Sequence, residues 1–306
     1  MQATQGEPPA VARQRVTRAL RRHRNHTGLS QGDVAQRLGW SLSKMQRIEA
    51  GEVGVSITDL RALLAVYGVE DGGEIGRLAN DARTSRRQRW LVSKEEREHL
   101  TPGLRQLIQF ESKAKAIRAY QPVLIPGVLQ TAAVAEFVLN YRGNRLSPET
   151  RRVRFEVRMR RKAELFERAG GPLYSLILGE SVMKSHVGGA EIMAVQLGSL
   201  AEVAQRPKVR IRILPFRVGA VIGVEQPFQV LNLEEDDHGD PMVDRESAVL
   251  YRETTHGDRI WHDQTEVKSA IDMFDELWAE ALDEEASYRA IVAEAASLRS
   301  SLDFLR

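Results

Sequence analysis

The sequence has no cysteine, which excludes disulfides, thiolate zinc sites and cysteine nucleophiles together. It has no apolar run near the roughly eighteen residues that span a bilayer. Its first residues, MQATQGEPPAVARQ, lack the apolar core of a secretory signal. A cytoplasmic protein without membrane contact is the expectation. Phosphate-cradling glycine loops of the Walker or dinucleotide type are missing as well. Gly179-Glu-Ser-Val-Met183 lacks the second glycine of a nucleophile elbow, so Ser181 reads as a structural or capping serine. Histidine is sparse, seven in all. His238 sits among Asp236, Asp237 and Asp240, and His256 and His262 flank Asp258. Each group is weighed as a metal site, but a hydrated acidic loop is the more ordinary outcome. No catalytic residue, cofactor site or metal site is assigned, and the chain is not expected to be an enzyme.

What remains is 306 residues with an ordinary 42% apolar fraction, enough for one to three domains with a buried core. The net charge of +2 conceals an uneven spread. Residues 1–90 hold 15 Lys and Arg against 9 Asp and Glu, a balance of +6, while the rest hold 29 against 33, a balance of −4. An N-terminal part that faces an anion is implied. Arginine outnumbers lysine 36 to 8. A GC-rich genome also produces that ratio, so the sign of the charge carries the argument rather than the residue type.

After a polar start, residues 11–26 read as a helix with Val16 and Leu20 on one apolar edge. Arg13, Arg15, Arg18, Arg21, Arg22 and Arg24 surround it, either to touch phosphates or as a solvated face. Ser30 opens a second helix, with Asp33 at capping-box spacing and Val34, Ala35 and Leu38 on one face. Ser41 caps a third, residues 42–50, which buries Met45 and Ile48 and stops at Gly51, a residue suited to left-handed backbone. Ser56 and Asp59 open a fourth helix, and residues 73 to about 90 form a fifth. The stretch LSQGDVAQRLGWSLSKMQRIEAG, residues 29–51, thus has the parts of a helix-turn-helix. Ala35 is small where the two helices nearly touch, and Gly39 tolerates positive φ at the turn four positions later. Val34, Leu38, Trp40, Met45 and Ile48 are apolar where burial is needed. Ser43, Lys44, Gln46 and Arg47 are polar between them.

That stretch resembles the lambda/Cro/434-repressor-like (XRE-type) helix-turn-helix family, whose pattern LSQ-x-x-(L/V)-A…G-x-S-x-S-x-(I/V/M)-x-x-(I/L)-E-x-G it follows nearly throughout. The resemblance implies that the second helix enters the major groove and that the glutamine opening the first binds a phosphate. Carried over by position, Gln31 meets the phosphate and Leu42, Ser43, Lys44 and Arg47 face the bases, with Ser41 and Gln46 at the margin. A helix N-terminus is already positive, so Lys44 in the first turn costs the free helix roughly a few tenths of a kcal/mol. Beside DNA the sign reverses, because phosphates and the O6/N7 edge of guanine attract the cation. Leu42 is suited to a thymine methyl, and Arg47 to guanine or a phosphate. The alternative is a solvated helical hairpin.

Residues 81–100 read as a basic connector, in which a solvated role for Arg83, Arg86, Arg87 and Arg89 is favoured over an extended DNA footprint. Beyond it, helix is expected at 104–114, extended chain at 117–124, where Pro122 and Pro126 exclude helix, and helix at 128–141. Pro148 opens another helix to about 168, crowded with arginines but interleaved with Glu149, Glu156, Glu164 and Glu167. It reads as a salt-bridged exposed helix rather than a second DNA surface. LYSLIL (173–178), VRIRIL (209–214), FQVLNL (228–233) and AVLY (248–251) read as strands, with a helix at 189–205 and closing helices at 263–282 and 284–305. EEDDHGD (234–240) is a charged loop. The expected fold class is multidomain, α and α+β. A flexible tail at 1–9 precedes a five-helix, all-α helix-turn-helix domain at 10–80, and a mixed α/β domain at 101–306 follows the connector.

YQPVLIPGVLQT, VRIRILPF, VLYRET and AIDMFDELWAEAL look like blocks of an uncharacterised domain that follows a helix-turn-helix in many antitoxin-like regulators of actinobacterial type. RIWHDQTE stands where that domain has a more aromatic, strand-like stretch. Together the resemblances imply a sequence-specific transcriptional regulator that binds double-stranded DNA. A homodimer on two half-sites is expected, because one such domain covers too little DNA. By analogy, the C-terminal domain senses a small-molecule effector or a small protein partner encoded nearby. The competing expectation is an antitoxin-like protein that acts mainly by binding a protein partner.

Overall fold

The computed structural model describes residues 6–86, 93–141, 146–167, 170–218, 226–234, 247–254 and 257–304, without the side chains of 254 and 302–304. The chain opens with five helices, α1 (Pro9–Thr27), α2 (Gln31–Leu38), α3 (Leu42–Glu49), α4 (Ile57–Val66) and α5 (Gly72–Ser85). A proline starts α1, where a missing N–H loses nothing. Val16, Leu20, Val34, Met45, Ile48 and Leu63 pack into one core. The fifth helix stops short of the expected residue 90: the Arg86 N–H donates to the Arg83 carbonyl, tightening the last turn. Arg87 and Arg89 lie outside the described residues.

The first helix serves two cores. Its Val16 and Leu20 close the N-terminal one, while its Ala10 and Val11 join Leu107, Phe110 and Ile117 in the other. Glu7 pairs with Arg15 at 2.8 Å, so the described end of the stretch expected as a tail lies against the protein.

Helix α6 (Lys94–His99) is capped reciprocally by Ser93 and Glu96. Its Glu95 and Glu96 pair with Arg152 and Arg160 of α9 (Pro148–Phe166). The acidic run after the basic stretch is therefore docked helix. The α9 helix has the expected pairs at helical spacing, Arg152–Glu156 and Arg160–Glu164, yet it is not simply an exposed helix. Val153, Val157 and Leu165 bury one face, and Arg161 grips Glu111 of α7 (Pro102–Glu111) through two bonds of 2.8 and 2.7 Å.

Six strands form one sheet in the order β3-β2-β1-β4-β5-β6: β1 (Ala116–Gln121), β2 (Leu173–Gly179), β3 (Val209–Leu214), β4 (Phe228–Asn232), β5 (Val249–Thr254) and β6 (Gly257–Trp261). The first three run parallel and the rest join antiparallel. One face packs against α11 (Ala190–Ala204) and α13 (Glu284–Phe304), through Leu197, Leu200, Ile291 and Leu298. The other packs against α12 (Gln264–Glu280), through Val267, Ile271 and Phe274. The alternation of VRIRIL follows from this layering: Val209, Ile211 and Ile213 point into the first layer, and Arg212 lies over Trp278 of α12.

Three further elements depart from the sequence reading. The helix expected at 128–141 begins at Ala132, as α8 (Ala132–Tyr141), after a separate short turn at Gly127–Leu129. The break is Gln130, held extended with its side-chain amide on the Ile125 carbonyl at 2.9 Å. The strand β6 takes in the first residues of the RIWHDQTE stretch, where Asp258 and Arg259 hid the apolar pattern. Its Asp258 accepts from Thr101 and Tyr251, and its backbone lies so close to α7 that a Cβ on Gly103 would come within 2.4 Å of the Asp258 carbonyl oxygen. The short α10 (Glu180–Lys184) carries Ser181, whose hydroxyl donates to the Pro122 carbonyl at 2.6 Å. Among the described residues no helix is long and apolar enough to cross a membrane.

Candidate nucleic-acid interface

The segment after Gly28 folds as two helices hinged on one residue. Ser30 and Asp33 cap α2 reciprocally, and Gly39 ends it in the left-handed region at φ 64°. Trp40 then returns its N–H to the Ala35 carbonyl at 2.8 Å, and the Ser41 hydroxyl accepts the Lys44 N–H at 3.2 Å to start α3. That helix turns Met45, Ile48 and Glu49 inward. Leu42, Ser43, Gln46 and Arg47 point outward with Ser41, and Leu42 is 48% exposed despite its apolar side chain. Leu38 and Trp40, expected to be buried, are only half-buried.

Trp40 has another task. The Lys44 ammonium lies 3.6 Å from its ring centre and 3.1 Å from the Asp59 carboxylate. The acid that a first turn normally carries is thus supplied across space, from the first turn of α4, and it offsets the dipole penalty of a cationic helix start. Asp59 consequently does not complete the capping box suggested by its spacing; only its backbone N–H bonds the Ser56 hydroxyl.

Gln31, placed by analogy at a phosphate, is half-buried and donates to Glu49 at 2.7 Å. Its amide nitrogen carries a second hydrogen, so this bond does not exhaust it. Glu49 also holds Arg24 through bonds of 2.6 and 3.1 Å and is itself buried. Sequence reasoning left Glu49 without a role.

The arginines of α1 form neither a solvated face nor a free row of phosphate ligands. Arg13 reaches the Gly51 and Ser85 carbonyls, Arg15 pairs with Asp81, Arg18 with Glu234 and Arg22 with Glu74. Arg21 donates to the backbone carbonyl of His262. Most of this charge ties the helix bundle together or to the C-terminal domain.

His262 sits where the two parts meet. Its Nδ1 lies 2.5 Å from the Gln14 side-chain oxygen, and its ring meets Phe110 edge-on. A Cβ on Gly51 would come within 2.9 Å of the imidazole, and Gly51 also has a φ of 67°. Burial, reinforced by Arg21, Arg13 and Arg259, pushes its pKa down to about 3. The neighbouring Arg259 pairs with Glu52, which also lies 3.8 Å from Arg47. Among the described residues, no three His, Asp or Glu side chains are grouped to hold a metal. His238, His256 and the acids around His238 lie outside them.

The bundle and the outward face of α3 define a helix-turn-helix protein. The family model of a helix-turn-helix domain matches residues 15–78, which suggests DNA binding and a part in transcription regulation. Residues 104–293, more than half of the chain, match that of a domain of unknown function (DUF5753), and the protein belongs to that family. No curated protein and no solved structure matches the chain.

Proposed function

We propose that the protein is a sequence-specific transcriptional regulator of the XRE type that reads the major groove with α3 as a homodimer. Its C-terminal domain senses a small molecule or a small protein partner, as in antitoxin-like regulators, and the protein acts by binding rather than catalysis. One observation carries the reading: a single face of α3 offers Leu42, Ser43, Gln46 and Arg47 to the outside, while Met45, Ile48 and Glu49 anchor the opposite face. Gln31 and Lys44 flank that face, each steadied by a carboxylate.

Mapping of genomic binding sites supplies the operator. Replacing Lys44 and Arg47 together by alanine should then abolish specific binding while the melting temperature stays near wild type. A labelled operator that binds the double variant as tightly as the parent would overturn the assignment.

The second reading, an antitoxin-like interaction protein, draws on the stacked pair Phe137 and Tyr141 on α8, the latter 82% exposed. Salt separates the two. Phosphate contacts make affinity fall steeply as salt rises, and an apolar protein interface does not.

A further inference from the structure

A cavity of about 460 Å3 lies where α1, the helix-turn-helix and the start of α12 converge. Arg18, Arg21, Arg22 and Arg24 form one wall. Gln31 and Gln46, both from the expected DNA-contact set, form the second, and Gln264 and Thr265 of α12 the third. Two acids also line it; both bond elsewhere, although their charges act on Arg21 as well. Glu49 holds Arg24, and Asp263 caps α12 by accepting the Thr265 and Glu266 N–H groups at 2.9 and 3.1 Å. Arg22 and Arg18 are paired with Glu74 and Glu234. Arg21 differs from its neighbours. Its Nη1 donates to a backbone carbonyl, and its Nη2 is buried without a hydrogen-bond acceptor. Such a group is costly to leave unmet, and an acceptor bound in the cavity that Arg21 lines would meet it after a turn of the side chain.

We propose that this cavity binds a phosphate group, held by the Arg21 guanidinium with donors from Gln46 and Thr265. The group would fasten the start of α12 to the helix-turn-helix. Phosphate fits better than a lone carboxylate, because the space is ample and its several oxygens suit a guanidinium fork with the Gln46 amide and Thr265 hydroxyl across the cavity. The phosphate comes either from the backbone of bound DNA or from a free phosphate-bearing molecule. The first source rests on the DNA-binding reading, and the second does not.

Two variants of the full chain test the site. Arg21→Met removes the fork. Thr265→Glu places a carboxylate at an exposed position in the first turn of α12, where an acid favours the helix, so lost binding cannot be mistaken for lost folding. Each protein is titrated calorimetrically with inorganic phosphate and with pyrophosphate against chloride at matched ionic strength, and with operator duplex over a salt series. Saturable phosphate or pyrophosphate binding, weakened at least tenfold in both variants, supports the site with a free ligand. No free-anion binding, but a slope of log affinity against log salt reduced by about one in Arg21→Met, supports the DNA backbone as the source. Neither anion binding nor a changed slope overturns the proposal. If substitutions at Ser43 and Arg47 leave DNA binding intact while pyrophosphate still binds, the groove assignment fails and the phosphate site stands.

Discussion

Glu49 shows how much one side chain decides. It is a buried carboxylate at the end of an eight-residue helix, facing the unfavourable pole of the dipole, and it is retained by Arg24 and Gln31. Removing one partner of such a pair strands the other. Glu49→Ala should therefore lower stability by about 3 kcal/mol in urea unfolding, with an unchanged m value. The loss should also free the Gln31 amide and lower operator affinity. From sequence this residue had no assigned role, because its partner Arg24 lies 25 positions away on another helix. The outward set on α3 was legible, since the spacing of Met45 and Ile48 fixes which residues remain outside.

At the scale of elements, the entry to α3 is a clamp between two helix starts. Lys44 and Asp59 are both partly exposed, so their pair contributes only about 0.5 kcal/mol. Asp59→Asn should barely shift the melting temperature. It should, however, release the lysine toward phosphate and steepen the salt dependence of DNA binding by roughly one ion. An unaltered slope would mean that Lys44 meets no phosphate. The α7–α9 contact behaves oppositely, because Arg161 and Glu111 are both buried. Arg161→Met alone should cost about 3–5 kcal/mol in chemical unfolding, and adding Glu111→Leu should recover most of it. Element types were readable from Pro148, the VRIRIL alternation and the cap serines. The failures share a cause: β6 is set by pairing with β5, and Gln130 is held between the Ile125 carbonyl and Arg158 of α9, side-chain and cross-strand bonds that the apolar pattern does not carry.

For the molecule as a whole, the decisive contact is His262 between Gln14, Gly51 and Phe110. Its pKa is about 3 in the folded chain against 6.5 for the free side chain. Between those values the unfolded chain binds the proton and the folded chain does not, so stability rises with pH across that range and is lost on acidification from about 6.5 toward 3. Calorimetric melting temperatures should fall from pH 7 to pH 5, and His262→Phe should flatten that slope. Because α1 lends side chains to both cores, melting should be one transition rather than two. Two separate calorimetric peaks would contradict that coupling. The two-part plan was visible in the charge asymmetry, but the shared helix was not, since an Ala10-Val11 pair gives no hint of which core receives it.

The double service of Pro9–Thr27 also bears on protein engineering. A chimaera spliced in the connector, with this reading head grafted onto a foreign body, would leave Ala10 and Val11 bare and Gly51 facing empty space. A workable graft has to transplant the seat around Phe110 and His262 together with the head.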